Sequence, residues 1–390
     1  MRTNSHIAAA LGALCALVPA TGLAYTDEMF GLRSASPAWE AYQQSGSPWR
    51  RTIVANTQYS SPSAIRIRVV EHPYYEHCNT TITNATSDGS AFEPLSSPAL
   101  SNGWLYVTPS GTNPARLYRR RLFTGLTPTN CAVSGASWVP IQGSAWPTNL
   151  VAIRSAPSVT TTNITNLDSL IAVSADVTSS GSTVRSVVVV GLNSSGTPIS
   201  LQQPGPLPAN ETVQSSPAVS SVNGGVWLYV TTRDANGVYH FRHSYFNGST
   251  FSGWFDLPLS SAAPVPQSAP VFIAHAQSST YWIAYASSAS SPASIYVNSA
   301  PFGGLWGSWS TARTDASAFT FSRPSFGTFS WQVGPIVYNY TGLMYARHGT
   351  TTYSIPGYPP FIEANPTGPQ WQSLSNGTPP WPTSSWVTLN

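Results

Sequence analysis

Within residues 215–259, Arg233, Tyr239, Arg242 and Trp254 bring aromatic rings and guanidinium groups into one short stretch. That pairing suits a sugar: a ring face takes the apolar C–H face of a pyranose, and planar donors take its hydroxyls. Tyr118, Arg120 and Trp138 offer the same set upstream, and Trp309 offers a further ring downstream. Each ring also has a plainer reading as packing between sheets. Arg119-Arg120-Arg121 likewise reads as an edge strand guarded by charge. Other chemistries are poorly supplied. The chain has 17 arginines and no lysine, which excludes a P-loop, a Schiff-base lysine and a Ser-x-x-Lys nucleophile. Its 14 acids are spread thinly along the chain. Thr86-Ser-Asp88-Gly89 and Thr232-Arg-Asp234-Ala-Asn-Gly237 both miss the spacing of a Ser-x-Asp-x-Gly-x-Thr-Trp box, and there is no Gly-x-Ser-x-Gly elbow. His240 and His243 lie near Asp234 on one hairpin without a nucleophile. Glu71-His72 through Glu76-His77-Cys78 has metal-ligating types but no second ligand pair, and Pro73 denies it a helix. No metal and no cofactor is expected.

These side chains must be held by strands. Val226-Trp-Leu-Tyr-Val-Thr and Val238-Tyr-His-Phe-Arg-His-Ser-Tyr-Phe are aromatic and β-branched runs joined through Asn236-Gly237, which reads as a hairpin. Ala218-Val219 before them and Phe251 to Leu257 after them complete a four-stranded meander stopped by Pro258. Worn copies recur. Each opens on a small residue or Arg before Pro (Ser61-Pro62, Ser97-Pro98, Ala156-Pro157, Ser216-Pro217, Ala269-Pro270, Arg323-Pro324) and closes on an aromatic or apolar segment (Phe92, Trp138, Leu201, Trp254, Trp309, Trp371). Spacings run from 53 to 60 residues, with one interval of 36. Four-stranded units at that period predict an all-β fold, a β-propeller of six blades with seven or five as alternatives.

Residues 1–24 read as a secretory signal peptide: a basic start, an apolar run from Ile7 to Val18, and small residues Gly22 and Ala24 before Tyr25. The expected location is secreted or periplasmic, with no membrane span. A net charge of +3 with 8% charged residues gives too weak a field for nucleic acid. In an exported chain, Cys78 and Cys131 are expected to form a disulfide that closes a loop of about 54 residues and contributes ~4 kcal/mol. Residues 25–48 read as a lead-in, with Pro37-Ala-Trp39-Glu-Ala-Tyr42 as a helical turn. Residues 49–374 form the propeller, and the Pro/Trp-rich tail at 375–390 closes the ring through the first blade.

The order small-Pro, hydrophobic hairpin with Asp-x-Asn-Gly and Tyr-His, then Gly-Trp and Leu-Pro over Ser216 to Leu257 resembles one blade of the tectonin-type and fucose-lectin-type sugar-binding propellers. The resemblance implies a ring of blades and non-covalent carbohydrate binding by a secreted lectin-like protein. Only this blade matches closely; the third has no closing Trp, and the sixth has Thr341-Gly342 where the fourth has Asn-Gly. Two other functions fit the sequence. One is a glycoside hydrolase or sialidase-like propeller, which needs carboxylate pairs or an arginine triad. The other is a surface platform for partner proteins. The location of Trp138, Trp254 and Trp309 separates them: if all three are buried between blades, the lectin reading loses its warrant.

Overall fold

Short aromatic and β-branched segments separated by turns fold into antiparallel sheets that follow one another along the chain. The computed structural model describes residues 38–43, 50–58, 61–71, 75–92, 98–109, 115–122, 136–222, 224–257, 269–275, 279–287, 293–315, 320–321, 323–333, 336–345, 347–348, 351–353, 361–363, 370–373 and 387–388. The first sheet is β1 (Ala38–Gln43), β2 (Arg50–Gln58), β3 (Ser61–Glu71) and β4 (Tyr75–Thr83), in that order. The second is β5 (Ala99–Ser101), β6 (Trp104–Val107), β7 (Leu117–Arg121) and β8 (Val139–Ile141). In the third, β9 (Leu150–Ile153) pairs with β11, extending the set β10 (Ser158–Ile164), β11 (Leu167–Ser179), β12 (Ser182–Leu192) and β13 (Pro198–Ile199). In the fourth, β14 (Thr212–Val213) and β15 (Ala218–Val222) both pair with β16 (Gly225–Arg233), followed by β17 (Tyr239–Phe246) and β18 (Phe255–Asp256). The fifth is β19 (Val271–His275), β20 (Thr280–Ser287), β21 (Ala293–Pro301) and β22 (Ser310–Asp315). After β23 (Thr320–Phe321), the sixth begins with β24 (Ser325–Val333) and β25 (Ile336–Tyr345). Beyond β26 (Arg347–His348), β27 (Thr351–Tyr353) and β28 (Phe361–Glu363), it is completed by β29 (Gln370–Ser373) and β30 (Val387–Thr388).

The innermost strands β1, β5, β10, β15, β19 and β24 each lie against the next, and β24 lies against β1. The sheets therefore close into a ring, and the fold is an all-β propeller of six blades among the described residues, with no helix.

A proline precedes every innermost strand: Pro37, Pro98, Pro157, Pro217, Pro270 and Pro324, at intervals of 61, 59, 60, 53 and 54 residues. Proline fixes φ and lacks the ladder N–H, so the start of a strand is one of the few places in a sheet that accept it. Four expectations change. Ser61-Pro62 lies inside β3, and the first opening is Ser36-Pro37, which removes the 36-residue interval. Ala38–Gln43 is the strand β1 and not a helical turn, so the ring begins before residue 49. The tail supplies β30 to the sixth blade through β29, and ring closure comes from β24 meeting β1. Thr341-Gly342 is not a turn either, because β25 runs through it while paired to β24.

The core is a set of wedges between blades. Each middle sheet is buried on both faces, so its strands read as near-continuous apolar runs. On β11, Ile171, Val173, Ala175 and Val177 pack toward the second blade, and Leu170 and Ala172 toward the fourth. Buried hydroxyls tie neighbours together. The Ser155 Oγ accepts the Ser174 N–H at 2.8 Å, and the Ser215 Oγ accepts the Thr231 N–H at 3.0 Å. Across blades, Thr108 Oγ1 donates to the Ser155 carbonyl at 2.9 Å and Ser174 Oγ to the Ser215 carbonyl at 2.5 Å. Before the prolines of the third, fourth and fifth blades stand the small, buried Ala156, Ser216 and Ala269, and before that of the sixth stands the buried Arg323. Its Nη2 donates to the carbonyls of Pro217 and Pro270, at 3.3 and 3.2 Å, and so links the starts of three blades.

Cys78 lies on β4 opposite Val69, and Cys131 lies outside the described residues. No helix among the described residues is long and apolar enough to cross a membrane.

Candidate functional site

In the fourth blade, the turn between β16 and β17 is built by Asp234. Its Oδ1 accepts the N–H groups of Asn236 and Val238, both at 2.9 Å, and Gly237 takes φ +85°. The Val238 amide does most to hold the Asp234 carboxyl below its ordinary value. Beside this turn, the exposed Arg233 donates to the Gly237 carbonyl at 3.1 Å and lies 5.4 Å from the Tyr239 ring.

Tyr239 and Arg242 are three residues apart on one strand, so they project to opposite faces of the blade. Arg242 is buried at 8% exposure and faces the third blade. Its Nε donates to Glu211 Oε2 at 2.9 Å, its Nη2 to Glu211 Oε1, and its Nη1 pairs with Asp256 Oδ1 at 2.9 Å. Burial raises the Glu211 carboxyl, but hydrogen bonds from Arg242 and Thr232 and the nearby positive charges outweigh it and hold the group below its ordinary value. Trp254 packs into the wedge between the third and fourth blades, and its indole N–H donates to the Gly205 carbonyl at 2.7 Å. Tyr239, Arg242 and Trp254 therefore do not converge on one site.

Upstream, Tyr118 and Trp138 do meet, at the wedge between the first and second blades. Tyr118 stacks on Phe92 at 4.9 Å, and Trp138 meets Phe92 edge-on at 5.6 Å. Trp138 is 1% exposed and donates its indole N–H to the Thr83 carbonyl at 3.3 Å, so its faces are taken by protein. Arg120, half-buried on the same strand, has its guanidinium lowered by that burial. Trp309 packs against Tyr285 at 4.8 Å and Phe241 at 5.7 Å between the fourth and fifth blades. Trp138, Trp254 and Trp309 thus all pack between blades, which removes the warrant these three gave the lectin reading.

The structure exposes aromatic groups at a different, recurrent place. Trp104-Leu-Tyr-Val107 on β6 and Trp227-Leu-Tyr-Val230 on β16 are the same four residues at the same distance from the inner strand, with Tyr106 opposite Ala99 and Tyr229 opposite Ala218. Trp282 on β20 holds the third equivalent position. Each of these tryptophans is half-buried, and Trp104 and Trp227 pack on the side of the next blade, against the third and the fifth respectively.

Around Trp104, Arg121 is its partner on β7 and Arg119 is the partner of Tyr106. Their guanidinium carbons lie 5.3 and 4.5 Å from the Trp104 ring. Arg119 Nη2 donates to the Ser195 carbonyl of the third blade at 3.1 Å, and Arg121 Nη1 to the Asn102 carbonyl at 3.0 Å. Gly196 makes room for this contact, since a Cβ there would sit 1.5 Å from Arg119 Nη1. Burial lowers the Arg119 guanidinium, opposed by the charges of Tyr106 and Asp168. Around Trp227, the same strand positions carry Tyr245 and His243, with ring centroids at 4.8 and 5.4 Å, and the fifth blade adds Tyr281 at 6.0 Å. Phe255, 55% exposed, lies 6.0 Å from His243. Burial lowers the His243 imidazole, partly opposed by Asp256. The repeated Trp-Leu-Tyr-Val was the sequence signal for both clefts, because Trp and Tyr two apart on a strand share a face. Among the described residues no group of three His, Cys, Asp or Glu side chains could hold a metal.

No family model matches the chain. No curated protein matches it. Solved structures do. A protein of unknown function from Dyadobacter fermentans is 11% identical, with a TM-score of 0.51 over 86% of this chain and 95% of that one, a likeness of fold. A six-bladed β-propeller fungal lectin from Aleuria aurantia, described with its fucose recognition mode, is 13% identical, with a TM-score of 0.43 over 86% and 98%. An endo-arabinase from Bacteroides thetaiotaomicron is 11% identical, with a TM-score of 0.36 over 67% and 89%.

Proposed function

We propose that this chain is an exported, lectin-like propeller that binds carbohydrate without transforming it, in the clefts at Trp104 and Trp227. The observation that carries the reading is the recurrence of a half-buried tryptophan at one strand position, which at Trp104 and Trp227 has planar or polar side chains beside it and the next blade on its side. Such a cleft offers a ring face to a pyranose and donors to its hydroxyls. The sequence resemblance of the fourth blade to sugar-binding propellers points the same way. Two clefts on one ring raise avidity without any new contact.

Four of the described acids favour binding over hydrolysis, because each is held by other groups. Asp176 accepts from Arg154 at 2.7 Å and Arg185 at 3.0 Å, Glu211 is held by Arg242, and Asp88 and Asp234 serve turns. A glycosidase needs two carboxyl groups facing one bond, one of them able to give up a proton. On this reading residues 1–24 are removed on export and Cys78 pairs with Cys131.

A glycan array probed with the protein lacking residues 1–24 tests the proposal. Trp104→Ala and Trp227→Ala are each expected to lower the signal about three- to tenfold at their own cleft, and the double variant to abolish it. A blank array, or signals untouched by the double variant, would refute the reading.

A further inference from the structure

At matched positions the two clefts carry different chemistry. Where the fourth blade places His243 and Tyr245 beside Trp227, the second places Arg119 and Arg121 beside Trp104. The Trp104 site therefore contains two guanidinium groups within 5.3 Å of its ring; the Asp168 carboxylate on β11, whose Oδ2 accepts from Ser169 at 3.1 Å, acts on Arg119. The cations are set in place before any ligand arrives. Arg119 is laid between the Trp104 ring and the turn at Asn193 to Thr197, in space that exists because residue 196 is glycine. That turn is itself fixed by Asn193 Oδ1, which accepts the Thr197 N–H at 2.9 Å and the Ser195 hydroxyl at 2.7 Å.

We propose that the cleft between the second and third blades selects acidic saccharides, in which a ring carboxylate or sulfate ester lies against Arg119 and Arg121 while the sugar ring packs at Trp104. The inference rests on the proposed carbohydrate function and assigns its ligand class at this one cleft. Guanidinium groups recognise carboxylate and sulfate oxygens through paired, charge-assisted hydrogen bonds that a neutral hydroxyl cannot match. The Trp227 cleft, with imidazole and phenol at the same positions, has no such preference.

The test is isothermal titration with matched pairs: oligogalacturonate against its fully methyl-esterified form, and a sulfated oligosaccharide against its desulfated form. In each pair the skeleton is shared and only the charge differs, and the two pairs separate carboxylate from sulfate. The acidic member is expected to bind at least about tenfold tighter at low salt, with a preference that shrinks as sodium chloride is raised. Arg119→Gln/Arg121→Gln should remove the preference, and Arg119→Lys/Arg121→Lys, which keeps the charge, should retain part of it. Neutral members binding as tightly as the acidic ones would overturn the inference and leave the carbohydrate reading standing. Failure of both members of both pairs would also overturn it, and together with a blank glycan array would remove the wider reading as well.

Discussion

Arg242→Ala is expected to lower the unfolding free energy by about 3–5 kcal/mol, because it leaves Glu211 buried with its countercharge gone. The Arg242 and Glu211 side chains are 10% and 6% exposed, and Thr232 adds a hydrogen bond to Glu211 at 2.6 Å. Arg242→Met/Glu211→Gln, which removes both charges together, should lose less than Arg242→Met alone. The pH dependence has a definite sign. The folded Glu211 carboxyl lies below its ordinary value, so its contribution is present above the unfolded carboxylate range and is lost as pH falls through the depressed value. Removing Arg242 raises that carboxyl through burial, so the gap between wild type and variant should be widest at neutral pH and narrow in acid. Denaturant titrations at several pH values check this. A variant of unchanged stability that has lost sugar binding would return Arg242 to the role its sequence context suggested.

Trp138→Ala should cost a similar amount, about 3–5 kcal/mol, through the cavity it opens between the first and second blades. The ring shares one core cluster with Ala55, Ile65, Ile67, Leu105, Val107 and Leu122, all at 0% exposure. The substitution also strips the Thr83 carbonyl of its indole donor. Trp138→Phe keeps most of the packing and should cost much less, with the lost hydrogen bond contributing roughly 1 kcal/mol. Thermal or urea unfolding reads both values. Full stability in Trp138→Ala, with sugar binding gone, would show a ligand platform in place of a wedge.

The ring was legible because proline and the aromatic strands repeat, and a blade cannot bury its faces alone. The first blade was misread at Ser61-Pro62 because β3 also begins with Ser-Pro, and Ser36-Pro37 was assigned to a lead-in. Registering all six prolines against their strands would have recovered it. Residue types within one blade group Tyr239 with Arg242, but the period of two on a strand puts them on opposite faces. Nor could sequence alone show that Arg242 would be claimed by Glu211, which is 31 positions away. In a propeller each cleft is made by two blades, so residues some 75 positions apart, such as Arg119 and Ser195, define it, and a single-blade comparison does not see them.

The central claim is that sugar is bound between blades, at the second-strand tryptophans. Its most direct test is a crystal structure of the protein with the strongest glycan from the array. Density for a pyranose at Trp104 or Trp227, within reach of Arg119, Arg121, His243 or Tyr245, is the predicted result. A sugar seated instead at the axial end near Arg323 or on the Arg233–Tyr239 turn, with both tryptophan clefts empty, would contradict it.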